Sequence, residues 1–210
     1  MADSAVAVRR TVFSPAVLDR IEQIVVFALW GGLAWRMSHS ANPFALLALL
    51  SETLIVAFVL IRRPAQTLST RDGDWILAFT ATIASLMITD GNAPVAALVP
   101  VAVSCWIVGN VVNIAAKLTL RRSFGIAPAN RGLKLGGPYR VVRHPMYGGY
   151  LLSHIGIFLL MPSWLNLAVY AVCWTAQVRR IWAEERVLGE DPKYRAYMGE
   201  VRWRLIPGVY

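Results

Sequence analysis

The stretch RHPMYGGYLLSHIGIFLLMPSWLNLAVYAVCWTAQVRRIWAEE, Arg143–Glu185, has a polar block at each end and two apolar runs between them. The runs, Met146 to Met161 and Trp164 to Ile181, are joined only by the brief MPSW. So short a connection predicts a tight helical hairpin that returns the chain to the face it left. His144 and Glu184 must then lie at one face of the molecule.

Working outward, further apolar runs cover Ile21–Trp35, Pro43–Ile61, Trp75–Ile88 and Ala93–Thr119, in a chain that is 57% hydrophobic. With the hairpin they make six candidate membrane helices. The runs from Trp75 and Met146 fall short of the about 20 residues that cross a bilayer. Charge placement tests the count independently. Of the 21 Lys and Arg, 20 fall on the side shared by both termini and 1 on the other. The positive-inside rule puts that side in the cytosol, which requires an even number of spans. The expectation is an all-α integral membrane, multi-pass protein of about six transmembrane helices with both termini cytosolic. Residues 1–114 form its N-terminal transmembrane helices, and residues 115–210 form a core of loop, hairpin and tail.

The net charge of +9 is thereby mostly topological. A nucleic-acid binder gathers its basic residues on one face or motif, so no nucleic-acid partner is expected. Arg9, Arg10 and Arg20 precede Ile21 without an apolar core between them, so the first run reads as a retained anchor rather than a cleaved signal. Cys105 and Cys173 lie inside apolar runs and read as buried small hydrophobes. With only His39, His144 and His154, no HExxH and no clustered Cys, no metal is expected.

Polar residues crowd into Lys117–His144 and Arg179–Tyr210. The first block, rich in Gly, Pro and Asn, reads as an ordered cytosolic loop. In the second, Asp191 and Pro192 suit the N-cap and first turn of a short helix. Tyr194, Tyr197, Trp203 and Leu205 would let the tail lie against headgroups or fold over the loop as a lid.

Within GPYRVVRHPMYGGY, Gly137–Tyr150, Pro145 stiffens the entry to the fifth run and restricts His144, so neighbouring side chains are aimed rather than free. Gly148 and Gly149 allow another helix or a ligand to approach, and Gly136 and Gly137 do the same for the loop. Taken singly, Arg140 and Arg143 suit lipid-phosphate anchors, Tyr139, Tyr147 and Tyr150 an interfacial belt, and His144 a hydrogen-bonded structural residue. Their density opposite Glu184 and Glu185 favours a site. Adjacent acids diverge by about 100° on a helix, so one should meet Arg180 or solvent and the other the Arg143–His144 loop. Such a pocket offers acid for a positive group, aromatic faces for a flat ring and arginines for an anion.

Two further features remain open. Glu52 lies in the second apolar run, where a carboxylate is costly. Asn110, Asn113 and Lys117 share one helix face, either as interhelical hydrogen bonds to Glu52, Ser104 and Thr119 or as acceptor contacts. His154 suits a satisfied buried imidazole. A transporter would instead need charged sites near the bilayer midplane and related halves, for which Glu52 alone speaks. A non-catalytic membrane protein would bind ligand without turnover.

The order RHPxYxG, apolar hairpin, Glu-Glu, carried by Arg143, His144, Pro145, Tyr147, Gly149, Glu184 and Glu185, resembles the isoprenylcysteine carboxyl methyltransferase family and its relatives among membrane phospholipid methyltransferases. GPYR and PKYRAYMGEVRWRLIP extend the likeness over roughly Ser123–Pro207. The resemblance implies methyl transfer from S-adenosylmethionine, leaving S-adenosylhomocysteine, in a cytosolic-side pocket of the C-terminal half. By it, Gly137, Pro138, Tyr139, His144, Pro145 and Tyr147 line the cofactor pocket, and Glu184 or Glu185 holds a polar part. No GxGxxG follows a strand pattern, so a Rossmann cofactor domain is not expected. Arg143, then Arg179 or Arg180, would orient a carboxylate acceptor, with Glu52 and Asn113 as further acceptor contacts. An amine acceptor would need a base, His144 or a glutamate such as Glu185. A lipophilic, isoprenylcysteine-like or prenylated carboxylate arriving from membrane lipid is favoured over a phospholipid amine.

Overall fold

The computed structural model describes residues 14–39 and 45–210. Arg9, Arg10 and the first residues of the Pro43 run lie outside the described residues. Six long helices coincide with the six apolar runs: α1 Pro15–Ser38, α2 Ala45–Leu60, α3 Asp72–Leu86, α4 Val99–Leu120, α5 Pro145–Leu160 and α6 Trp164–Leu188. A seventh, α7 Pro192–Glu200, follows them. The all-helical expectation needs one small amendment. Strands β1 Thr67–Leu68 and β2 Ala129–Asn130 pair antiparallel, Thr67 with Asn130 and Leu68 with Ala129.

Helix ends follow local chemistry. Ser163 caps α6 by accepting from the Asn166 N–H, and Asp191 caps α7 by accepting from Lys193, with Pro192 in its first turn. Pro145 opens α5, where its missing N–H costs nothing. Helices α1 and α6 run past their apolar stretches. The overhangs carry Asp19 at one end of α1 and Glu184 and Glu185 at the end of α6, so the longest helices deliver the chemistry.

Helix α4 packs most extensively on α5, α3 on α6 and α1 on α2. The α4–α5 seam is built on glycine. A Cβ added to Gly109 would meet Ser153 Oγ at 2.4 Å, and one on Gly149 would meet the Gly109 carbonyl at 2.7 Å. One on Gly156 would meet the Ala102 carbonyl at 2.5 Å. Such contact lets two helix backbones approach without side chains between them.

The distribution of polarity runs opposite to that of a water-soluble bundle. Ile24, Phe27, Val108, Val111, Leu165 and Val172 are exposed, while Glu22, Asn113, Lys117 and Asn166 are fully buried. The continuous helical run Ala96–Ser123, 28 residues, is long and apolar enough to cross a membrane. Leu49–Leu60 and Pro145–Leu160 are apolar but shorter.

Candidate active site

The turn into α5 is set by backbone before any side chain acts. A 3-10 turn, Gly137–Arg140, precedes it, and Gly137 has φ +56° with Thr119 Oγ1 2.9 Å from where a Cβ would stand. His144 sits at the N-cap position of α5 with φ −127° and ψ 58°, without a cap bond from its ring. Its imidazole is left to face α6. There Nε2 lies 3.2 Å from Glu185 Oε1 and Nδ1 lies 3.8 Å from Glu184 Oε2.

The two glutamates diverge as adjacent helical positions must. Glu184 accepts from the Tyr147 hydroxyl and lies 3.5 Å from Arg180 Nε, whose guanidinium covers the Tyr147 ring. Glu185 accepts from Arg143 Nε at 2.8 Å and from Arg204 Nε at 2.8 Å. Burial pushes the Glu185 carboxyl up, but hydrogen bonds from His144, Arg143 and Arg204 outweigh it and hold it at about 2.

The C-terminal tail folds over this loop. The Arg143 and His144 N–H groups donate to the Trp203 and Arg204 carbonyls, each at 2.8 Å. Arg143 Nη1 also donates to the carbonyls of Val201 and Arg202, at 2.8 and 2.7 Å. The guanidinium expected to offer itself to an anion is therefore engaged with the tail and Glu185. Gly148 meets the tail too: a Cβ added there would stand 3.3 Å from the Leu205 carbonyl.

Above the glutamates opens a cleft. Its floor is Tyr139, His144, Met146, Tyr147 and Glu184, and one wall is the loop from Gly125 to Leu135. Tyr194 and Tyr197 of α7 close the other side. Gly137, Pro138 and Pro145 shape the floor from behind rather than line it, and Glu185 also lies outside the lining. Tyr197 donates to the Tyr139 carbonyl at 2.7 Å, which fixes α7 to the turn. Burial raises the Tyr139, Tyr194 and Tyr197 phenols, Tyr197 to about 12, so the cleft presents neutral rings. The buried Tyr194 hydroxyl has no hydrogen-bond partner among the described residues.

Tyr194 and Tyr197 had a sequence signal, spacing i, i+3 after an Asp-Pro helix start, but not one that distinguishes a pocket wall from a headgroup contact. The Gly125–Leu135 wall had only its glycine and asparagine content.

Behind Met146, which borders both spaces, lies a mostly apolar cavity between α1, α2, α3, α5 and α6. Its polar lining is Glu52, Tyr150, His154, Gln177 and Arg180, with Thr82 and Ser85. Arg180 Nη2 donates to the Ile126 carbonyl at 2.6 Å, while Arg180 Nε and Gln177 Oε1 are buried without a hydrogen bond among the described residues. A larger space adjoins it and shares Glu52, Tyr150 and His154. Arg179 is exposed and lines none of these spaces.

The polar residues of α4 are largely accounted for by packing. Lys117 Nζ donates to the Ser51 carbonyl and hydroxyl at 2.9 and 2.8 Å and lies 3.8 Å from Glu52. Asn113 donates to the Met146 carbonyl at 3.0 Å, and Asn110 to that of Trp106 at 2.9 Å. Thr119 bonds back to its own helix at Ala115 rather than across to a neighbour. His154 accepts from Trp174 Nε1 at 3.2 Å, a satisfied buried imidazole. Among the described residues no group of three His, Cys, Asp or Glu could hold a metal.

Residues 95–191 match a family described as phospholipid methyltransferase. The matched stretch is a little under half of the chain. A 90-residue stretch is 32% identical to protein-S-isoprenylcysteine O-methyltransferase A of Arabidopsis thaliana, covering 40% of this chain and 46% of that protein. The match thus spans about half the length of that relative. Both findings bear out the resemblance carried by RHPMY and the Glu-Glu pair. The matched residues contain α4, α5, α6, the cleft floor and its Gly125–Leu135 wall. Helices α1 to α3, and α7 with the tail, lie outside it.

Proposed function

We propose that this is a multi-pass membrane methyltransferase of six transmembrane helices, with both termini and the cleft on the cytosolic side, that methylates a lipophilic acceptor. The observation that carries the reading is the meeting of His144, Tyr147 and Glu184, backed by Glu185, at the floor of a cleft that shares Met146 with an apolar cavity. Polarity turned inward across α1–α6 supports the membrane setting.

The cleft fits S-adenosylmethionine. Neutral tyrosine rings suit adenine, the Tyr194 hydroxyl is free to offer a hydrogen bond, and Glu184 suits a cationic group. When bound, this cofactor supplies a methyl group on a sulfonium that is already activated toward in-line displacement. The residues then mainly position reactants and exclude water. Glu184 is the acid that faces the cofactor. Glu185 holds Arg143, His144 and the tail in register. Tyr194 and Tyr197 cover the cleft.

The acceptor occupies the cavity behind Met146. Arg180 replaces Arg143 as the residue that orients an acceptor carboxylate, because its guanidinium lines that cavity and its buried Nε, 3.5 Å from Glu184, makes no hydrogen bond among the described residues. Carboxyl O-methylation of an isoprenylcysteine-like acceptor needs no base. A phospholipid amine is the second reading, favoured by the Glu52 carboxylate on the same cavity. His144 would serve it as the base.

Titrating the protein in nanodiscs with S-adenosylhomocysteine by calorimetry tests the cofactor. Saturable binding that Glu184→Gln weakens is expected; no binding by folded protein overturns the reading. Labelled methyl transfer to a prenylcysteine, set against a phosphatidylethanolamine, then decides the acceptor.

A further inference from the structure

The wall of the cleft formed by Gly125–Leu135 has little regular structure, yet it must hold a fixed shape to recognise a ligand. Its strand pairing among the described residues is limited to the two-residue β1–β2 bridge. Helix α1 supplies two further anchors, Asp19 and Glu22. Glu22, fully buried, accepts from the Ile126 N–H at 2.7 Å and from Arg62 Nη1 at 2.6 Å through the same Oε1. The Ile126 carbonyl accepts from Arg180. One residue of the wall is thus held on both sides by buried charged groups of α1 and α6.

Further along, the wall is held again. Arg131 Nη2 pairs with Asp19 Oδ1 at 2.7 Å, and Nη1 donates to the Arg63 carbonyl at 2.8 Å. Asp19 Oδ1 also pairs with Arg62 at 3.0 Å. Arg131 is buried and borders the cleft directly. None of Asp19, Glu22 and Arg62 lies within the matched residues 95–191.

Packing alone would not require this arrangement. Burying a carboxylate is costly unless its partners are fixed, and removing one partner leaves the other charge uncompensated. The cluster therefore has one low-energy geometry, which is what a wall without secondary structure lacks on its own. We propose that Asp19 and Glu22 are positioning residues of the cofactor cleft, setting its Gly125–Leu135 wall through Arg131 and the Ile126 backbone. This rests on the cofactor reading above, and the test separates the two.

Full-length protein in nanodiscs, wild type and the variants Asp19→Asn, Glu22→Gln, Arg131→Gln and Asp19→Asn with Arg131→Gln, is titrated with S-adenosylhomocysteine. Each is also digested with trypsin to time cleavage after Lys134. Asp19 is partly exposed, so Asp19→Asn serves if Glu22→Gln does not fold. Losing one charge-assisted contact should weaken cofactor binding about tenfold. The double variant should be no weaker than Arg131→Gln alone, since Asp19 acts through that side chain. Cleavage after Lys134 should quicken in Asp19→Asn. Unchanged affinity in the folded variants, or additive losses in the double variant, would overturn the proposal. Faster cleavage with unchanged affinity overturns it too, because the cluster would then serve the fold and not the cleft. If wild type binds no S-adenosylhomocysteine, the methyltransferase reading falls, and cleavage after Lys134 alone decides whether α1 sets this wall: faster supports it, unchanged overturns it.

Discussion

His144 and Glu185, 41 residues apart in sequence, meet at 3.2 Å between Nε2 and Oε1. The α5–α6 hairpin makes that meeting possible, because it brings the start of one helix beside the end of the other. Glu185 then gathers partners from separate segments: the turn before α5 through Arg143 and His144, and the tail through Arg204. A single carboxylate so placed holds loop, helix and tail together.

Glu185→Gln should therefore lower the melting temperature at neutral pH, and the difference from wild type should depend on pH. The folded carboxyl is held at about 2 against an ordinary value of 4.5. Its contribution is full above the ordinary value and is lost as pH falls through about 4.5 toward 2. Melting curves of wild type and variant should converge over that window. A constant difference from neutral pH down to the acid end of the window would show that the charge of Glu185 does not hold the tail.

Glu184→Gln should act on ligand more than on stability. Its carboxylate lines the cleft, whereas that of Glu185 does not. Binding of S-adenosylhomocysteine should weaken about tenfold, the cost of one charge-assisted hydrogen bond. Glu185→Gln should cost more in melting temperature. Calorimetry and thermal unfolding on the same two samples check the division, and a reversed pattern would move the cofactor acid to Glu185.

The glycine seam, outside the cleft lining, predicts a stability effect. Gly149→Ala places a Cβ 2.7 Å from the Gly109 carbonyl and 2.8 Å from the Asn113 nitrogen, both backbone. Helices α4 and α5 must separate, at a cost of about 1–3 kcal/mol. Gly199→Ala, in α7 with no atom within 4 Å of the new Cβ, should be neutral or slightly stabilising. Thermal unfolding of the two variants measures the contrast.

Much of this architecture is legible in the residues alone. Apolar runs place the six long helices among the described residues, and MPSW marks the hairpin that joins His144 to the glutamates. The divergence of Glu184 and Glu185 follows from helical geometry. What is not legible depends on contacts between segments far apart in sequence. Arg143 reads as a free cation until the tail is seen to supply Val201 and Arg202 carbonyls to it. Asp19 and Glu22 read as ordinary charges at the start of an apolar run, because nothing local says that Arg131 and Ile126, 112 and 104 positions away, will meet them. Lys117 lies in the fourth run, and its partner Ser51 is a small hydroxyl with no sequence signal.

The cavity behind Met146 carries two charged groups of opposite sign, and they should respond oppositely to the acceptor. Arg180, whose buried Nε makes no hydrogen bond among the described residues, suits a carboxylate; Glu52, partly exposed and 3.8 Å from Lys117, suits an amine. Arg180→Gln should raise the KM for a prenylcysteine about tenfold at saturating cofactor, and should also weaken S-adenosylhomocysteine binding, because Arg180 holds the Ile126 carbonyl of the cleft wall and pairs with Glu184. Glu52→Gln should leave that acceptor unaffected or improve it, since one repulsive charge is removed. If the acceptor is instead a phospholipid amine, the order inverts, and Glu52→Gln becomes the damaging change. Initial-rate kinetics on both variants with both acceptors therefore assign the acceptor class from which substitution raises KM.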